Sequence, residues 1–274
     1  NITVILIDDC SEDNIKKFRI NKNKFKIIYK RHANNMGLSI ALESGFKIVK
    51  NKIKKDDLIV TMDSDNTHPV ETIPRIVHAL KKNNSDIVIA SRFLLSSKVN
   101  GLNYFRRCLS VIAKYIFSYA FPYDNLSEYT CNFRVYKPYL IKKLMKNKKF
   151  FKNEDFNIAV KILLSLINNN KNLKISEYPL ILNYHYKIGS SKMSVFKNII
   201  LTLKLIILKL KCQQLHQLER RSRGGKPRTP TLPLPRLSGP TWSASCPLWT
   251  KWVRNSTNLS LARKCLSPPT PSRE

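Results

Sequence analysis

No two of the six cysteines, Cys10, Cys108, Cys131, Cys212, Cys246 and Cys265, make a Cys-x-x-Cys pair. Scattered in this way they argue against a zinc site and supply no disulfide framework, which fits a reduced, cytosolic setting. The chain opens on Asn rather than Met, and no signal peptide precedes the apolar run from Ile2 to Ile7, so sequence upstream is expected. Acid is scarce too: 18 Asp and Glu stand against 49 Lys and Arg, a formal charge of +31. A field of that sign favours polyanions, whether nucleic acid, anionic lipid headgroups or phosphorylated substrates, without choosing among them. A recognisable nucleic-acid-binding motif is missing, and so is an aromatic-basic platform. Charge alone gives only salt-sensitive, nonspecific affinity, so no specific nucleic acid is expected as a partner.

A clean membrane span is lacking as well. The most apolar stretch, "VFKNIILTLKLIILKL" at 195–210, is short and interrupted by lysines. Lys197, Lys204 and Lys211 recur every seven residues on one helical face, which fits a helix lying in a membrane interface or one packed on the domain. Isoleucine is absent after residue 211, where 9 of the 14 prolines lie. Residues 212–274, with "RSRGGKPRTPTLPLPRLSGPTW", have no sustained periodicity and read as a disordered Pro/Ser/Arg-rich tail. We expect that tail to be unrelated or frame-shifted coding sequence joined to a real domain, with a polyproline ligand around Pro227–Pro235 as the other reading.

What is present, in residues 1–211, is an alternation of strand and helix signals. Apolar runs at Ile2–Ile7, Phe25–Tyr29, Leu58–Met62 and Asp86–Ala90 read as strands. Between them, Leu38, Ala41, Leu42, Phe46 and Val49 make a helical stripe. A second helix is expected to start at Pro69 and to turn Val70, Ile73, Ile76, Val77 and Leu80 inward. The order predicts an α/β domain around a mainly parallel sheet. Ligands of such sheets bind outside the carboxyl ends of the strands. Asp8-Asp9, Asp63-Ser64-Asp65 and Ser91-Arg92 each follow a strand at that end.

Crowded carboxylates repel unless a cation or strong donor lies between them. In Asp63-Ser64-Asp65 the first and third side chains project the same way from an extended backbone. Oxygen ligands without Cys or His suit a hard divalent cation, Mg²⁺ or Mn²⁺. Such an ion stabilises charge on a leaving diphosphate.

The segments "VILIDDCSED", "NNMGLSIALESGF", "IVTMDSDNTHPVETIP", "DIVIASRF", "RRCLS", "YTCNFRVY" and "GSSKMS" occur in this order. Together they resemble the family 2 inverting glycosyltransferases, most closely the polyprenyl- and dolichyl-phosphate mannosyltransferases. The resemblance covers about residues 1–211, its most specific part being the Asp-x-Asp-x-x-His-Pro-x-Glu block. It implies a GT-A fold, Rossmann-like, over residues 1–192, and the lysine-striped amphipathic stretch, 193–211, follows that domain. It implies transfer of a hexose of mannose or glucose type from a nucleotide sugar, GDP-mannose or a UDP-sugar, to a polyprenyl phosphate. It also implies a location at the cytoplasmic face of a membrane.

The residue roles that follow are implied by that resemblance. Asp8 helps to hold the nucleobase, with Asp9 beside it and Ser11 and Asp13 completing the pattern. Asp63 and Asp65 are the diphosphate and metal carboxylates, and Thr67 stands where relatives often have a third ligand, Gln. Arg92, Arg106 and Ser110 cradle the acceptor's phosphate, Arg106 and Ser110 sharing one helical face. Asp65 and Arg92 are thereby the catalytic pair. Arg134 matches an arginine in the relatives' Ser-Gly-Phe-Arg stretch, although Cys131-Asn132 stands here for Ser-Gly. Lys192 matches the end of an Arg-x-x-Gly-x-Ser-Lys stretch in which this chain has Tyr186, with Lys187 next to it, at the arginine. The relatives' first strand and Pro-x-Tyr-Asn-Glu loop have no counterpart before Ile2, so a fragment with impaired donor binding is expected. A saccharide hydroxyl acceptor would need a base. Glu154-Asp155 is the candidate for that, and otherwise it charges the first turn of the next helix.

Overall fold

The computed structural model describes residues 2–12, 25–147, 150–151, 158–186 and 207. Asp13, Glu154, Asp155, Lys187 and Lys192, the tail 212–274 and all of 193–211 except Ile207 therefore lie outside the described residues.

The chain begins with β1 (Thr3–Asp8) and β2 (Lys26–Arg31), two aliphatic runs paired in parallel from Thr3↔Lys26 to Asp8↔Arg31. Helix α1 (Leu38–Lys52) packs on β1 and ends with Lys50 and Lys52, cations that suit the negative end of a helix dipole. After β3 (Ile59–Thr61) comes α2 (Thr72–Lys82). Pro69 does not open this helix. It lies in a preceding turn closed by Thr72 N–H on the Pro69 carbonyl at 3.1 Å, and Pro74 occupies the first helical turn instead. A first-turn proline costs nothing there, because its missing N–H would have had no partner. The shift also leaves Val70 56% exposed, contrary to the expected inward stripe, while Ile76 and Leu80 are buried.

Strand β4 (Ile87–Ser91) is buried at every position, which accounts for its unbroken apolar sequence. Next come β5 (Lys98–Asn100), α3 (Tyr104–Ala120), β6 (Arg134–Tyr136), α4 (Pro138–Leu144), α5 (Ile158–Asn169), β7 (Ile175–Pro179) and β8 (Ile181–Asn183). Asn103 caps α3 by accepting from Phe105 N–H at 3.0 Å. Four strands form one sheet in the order β3-β6-β4-β7, and β5 pairs in parallel with β8. Parallel pairings predominate among the described residues, yet β6 runs antiparallel between β3 and β4, with Arg134 opposite both Thr61 and Ile89. The core gathers on this sheet: Ile76, Ile87, Ile89, Val135, Leu140 and Leu163 are all at or below 1% exposure.

The inverted strand decides where the site lies. Chain entering β6 sits beside chain leaving β3 and β4, so the 127–133 loop is delivered to the carboxyl ends of both.

Candidate active site

Asp63 and Asp65 leave β3 half-buried. The Thr61 hydroxyl just before them donates to the Asn132 carbonyl at 2.6 Å and ties the strand end to the incoming loop. Asn132 is 7% exposed, and its Nδ2 donates to Asp63 Oδ1 at 3.2 Å. Its Oδ1 is buried without a partner. Asp65 Oδ1 accepts from the Thr67 hydroxyl at 2.6 Å and from Thr67 N–H at 3.2 Å, closing a tight turn in which Asn66 has φ 62°.

His68 packs its ring on Phe133 at 5.3 Å and is 7% exposed, with Nδ1 unpartnered. Burial lowers its pKa against the upward pull of Asp63 and Asp65, while Arg92 pushes the same way as burial. The imidazole therefore lies within the field of the Asp63 and Asp65 carboxylates and of the Arg92–Glu128 pair beyond β4.

That pair is the strongest electrostatic feature of the site. Arg92 Nε donates to Glu128 Oε2 at 2.7 Å, and a second guanidinium nitrogen reaches Glu128 Oε1 at 2.9 Å and the Thr130 hydroxyl at 2.6 Å. Burial would raise the Glu128 pKa, but Arg92 and the Thr130 donors override it and hold the carboxyl at about 2. Glu128 Oε1 also accepts from Thr130 N–H and Cys131 N–H, both at 3.0 Å, so the carboxylate organises its own loop. Arg134, fully buried, spends its guanidinium on the carbonyls of Cys131, Ala159 and Tyr129 at 2.7, 2.7 and 2.8 Å. Its position makes it the internal brace of the loop that carries Asn132.

The first acidic pair is held by its own surroundings. Asp8, 2% exposed, accepts from Ser11 N–H at 2.8 Å and the Tyr29 hydroxyl at 2.7 Å, with Arg31 3.4 Å away. The Ser11 N–H, more than burial opposes it, keeps Asp8 below the ordinary carboxylate range. Asp9 accepts from Met36 N–H at 2.9 Å and Gly37 N–H at 2.7 Å and faces His32 Nδ1 at 2.7 Å. His32 Nε2 in turn meets the Ser44 hydroxyl at 2.9 Å. This Asp-His-Ser chain has the connectivity of a nucleophilic triad, but Ser44 is 6% exposed inside α1, so it clamps β1 to the helix.

On α3, Arg106 and Ser110 are both half-buried, and the Ser110 hydroxyl donates back to the Arg106 carbonyl at 3.0 Å. Nothing in the sequence marks Glu128, Tyr29, Arg31 or His32 for this site. Only Asn132 carried a signal there, as a departure from the relatives' glycine.

An oxygen-only pair of half-buried carboxylates with a buried, unpaired amide oxygen beside it fits a hard divalent cation. Among the described residues, no group of three or more His, Cys, Asp or Glu side chains could hold one by itself.

A family profile described as "Glycosyl transferase family 2" matches residues 1–145. Over 195 residues the chain is 28% identical to a dolichol-phosphate mannosyltransferase of Pyrococcus furiosus, covering 70% of this chain and 51% of that protein. It thus spans about half the length of that relative. An uncharacterized protein of Methanocaldococcus jannaschii is 27% identical over 191 residues, 67% of this chain and 78% of its own. Among solved structures, glucosyl-3-phosphoglycerate synthase of Mycobacterium tuberculosis with phosphoglyceric acid superposes with a TM-score of 0.46 at 14% identity. The match covers 82% of this chain and 70% of that one.

Proposed function

The chain belongs to glycosyl transferase family 2, and from that premise we propose that it transfers a hexose from a nucleotide sugar to a polyprenyl phosphate at a membrane surface. The observation that carries this reading is the Asp63-x-Asp65 pair, which leaves a core strand beside the Asn132 loop. In the relatives' order of motifs that pair belongs to the donor's diphosphate.

Asp63 and Asp65 would hold Mg²⁺ or Mn²⁺, which neutralises charge on the departing nucleoside diphosphate. Thr67 and Asn132 fix the two carboxylates from either side. A lipid phosphate is ionised at neutral pH, so its oxygen attacks the anomeric carbon without a general base. The new C–O bond forms on the face opposite the donor oxygen, the old C–O bond breaks, and its electron pair leaves with the diphosphate. Configuration at the anomeric carbon is inverted. No proton has to move on the protein.

Helix α3 supports the acceptor. It carries Arg106, Arg107 and Lys114 and no acid, and it exposes Tyr104, Phe105, Tyr115 and Tyr119 at 64–80%. Amphipathic aromatic rings suit the headgroup region, and clustered cations suit anionic lipid. Among the described residues no helix is long and apolar enough to cross a membrane.

The test is transfer of labelled sugar from GDP-mannose, UDP-glucose or UDP-N-acetylglucosamine to organic-extractable lipid, with Mn²⁺, Mg²⁺ or EDTA. Label in the lipid phase that EDTA and Asp63→Asn both abolish is expected. Label appearing only in water-soluble saccharide, and lost on changing Glu154 and Asp155, would replace the acceptor. No transfer to either sinks the reading.

A further inference from the structure

Two carboxylates are a thin ligand set, and no third acid, histidine or cysteine joins them among the described residues. Thr67, expected as the third ligand, is 3% exposed. Its hydroxyl and its N–H both point at Asp65 Oδ1, and its carbonyl accepts from Asn183 N–H at 3.0 Å. The hydroxyl proton and N–H of Thr67 thus orient Asp65, and its carbonyl ties the turn to β8.

Asn132 is placed differently. Its backbone carbonyl is anchored by Thr61, and its Nδ2 lies on Asp63. That contact orients the amide, because the reverse placement would set Oδ1 against a carboxylate oxygen. Oδ1 remains buried and unpaired on the amide that meets Asp63. Buried acceptors without partners are rare and ask for an explanation, an ion being one of the few. A carboxamide oxygen is a hard ligand of the kind that joins carboxylates around Mg²⁺ or Mn²⁺. Of the two other orphans among the described residues, Tyr136 Oη belongs to the far end of β6, and His68 Nδ1 is a nitrogen, its ring tilted against Phe133, that suits such ions less well.

We propose that the Asn132 side-chain oxygen is the third protein ligand of the cation site, taking the place expected for Thr67. This rests on the reading that Asp63 and Asp65 hold the cation. The antiparallel entry of β6 is what makes it feasible, since it sets residue 132 against the exit of β3. Thr67 becomes a positioning residue for Asp65.

The full chain is titrated with MnCl₂, with and without GDP or UDP, and free Mn²⁺ is read by electron paramagnetic resonance. Thermal melts confirm that each variant is folded. Asn132→Ala should weaken Mn²⁺ binding about tenfold, and Thr67→Val about twofold or less. Asn132→Asp should bind Mn²⁺ as tightly as the wild type or more so. Weaker binding by Asn132→Asp than by the wild type would mean that an oxygen at this position does not reach the ion. That result, or Asn132→Ala binding Mn²⁺ like the wild type, overturns the proposal. A large loss in Thr67→Val alone overturns it while leaving the Asp63–Asp65 reading intact. A wild-type chain that takes up no Mn²⁺ with either nucleotide removes both.

Discussion

Arg92 and Glu128, 36 residues apart, meet two-on-two, with nitrogen–oxygen distances of 2.7 and 2.9 Å and no solvent on the carboxylate. The guanidinium that the family resemblance assigns to a substrate phosphate is thus already matched by a buried anion. Its charge at the strand end is partly neutralised, and its plane is fixed.

Removing one partner of such a pair leaves the other buried and uncompensated. Arg92→Ala is expected to cost about 3–5 kcal/mol of stability in urea denaturation. Arg92→Lys should cost less, since it keeps the charge and loses only the fork. Equal stability of wild type and Arg92→Ala would mean that Glu128 finds another partner.

The same pair sets an acid limit. Glu128 titrates at about 2 in the fold against an ordinary 4.5, burial being overridden by Arg92. A lowered folded value means that its contribution is complete above about 4.5 and is lost as pH falls toward about 2. Asp8, also held low, acts in the same direction. Melting temperature followed from pH 5 to pH 2 should drop steeply in the wild type and less steeply in Glu128→Gln. Parallel curves would refute the assignment.

Cys131 lies between these charges, and its thiol is pushed up to about 12, mainly by burial and then by Glu128. At pH 8 it is neutral and poorly nucleophilic. Iodoacetamide followed by peptide mass spectrometry should label Cys10 and Cys108, both partly exposed, well before Cys131. Cys131 should react only after denaturation.

Arg134 braces three carbonyls from a fully buried position. Arg134→Met should lower stability by at least about 3 kcal/mol, because charge-assisted bonds to the carbonyls are lost together. Arg134→Lys should recover little, since one ammonium lacks the planar fork. Circular dichroism melts decide this. A stable, active Arg134→Met would show that the loop needs no such brace.

Much of the first half of the fold is legible in the sequence. β1, β2, β3 and β4 appear as continuous apolar runs and α1 as a helical stripe, patterns that are set by residues close in the chain. The boundary of α2 is less legible: Pro69 and Pro74 both suit a first turn, and only the turn closed on the Pro69 carbonyl separates them. β6 is three residues long, Arg-Val-Tyr, and carries no period to read. Its pairing with β3 and β4 is decided by neighbours far away in the chain.

Local sequence suffices for the acidic pair at the end of an apolar strand, since that pattern depends on residues close in the chain, and composition suffices for the basic charge. Tertiary structure alone decided that β6 runs backward between two parallel neighbours. Reversal turns the entrance of β6 toward their exits, which brings Asn132 to Asp63 across 69 residues and Glu128 to Arg92 across 36. Those meetings depend on strand order and direction, quantities that no short stretch of residues encodes.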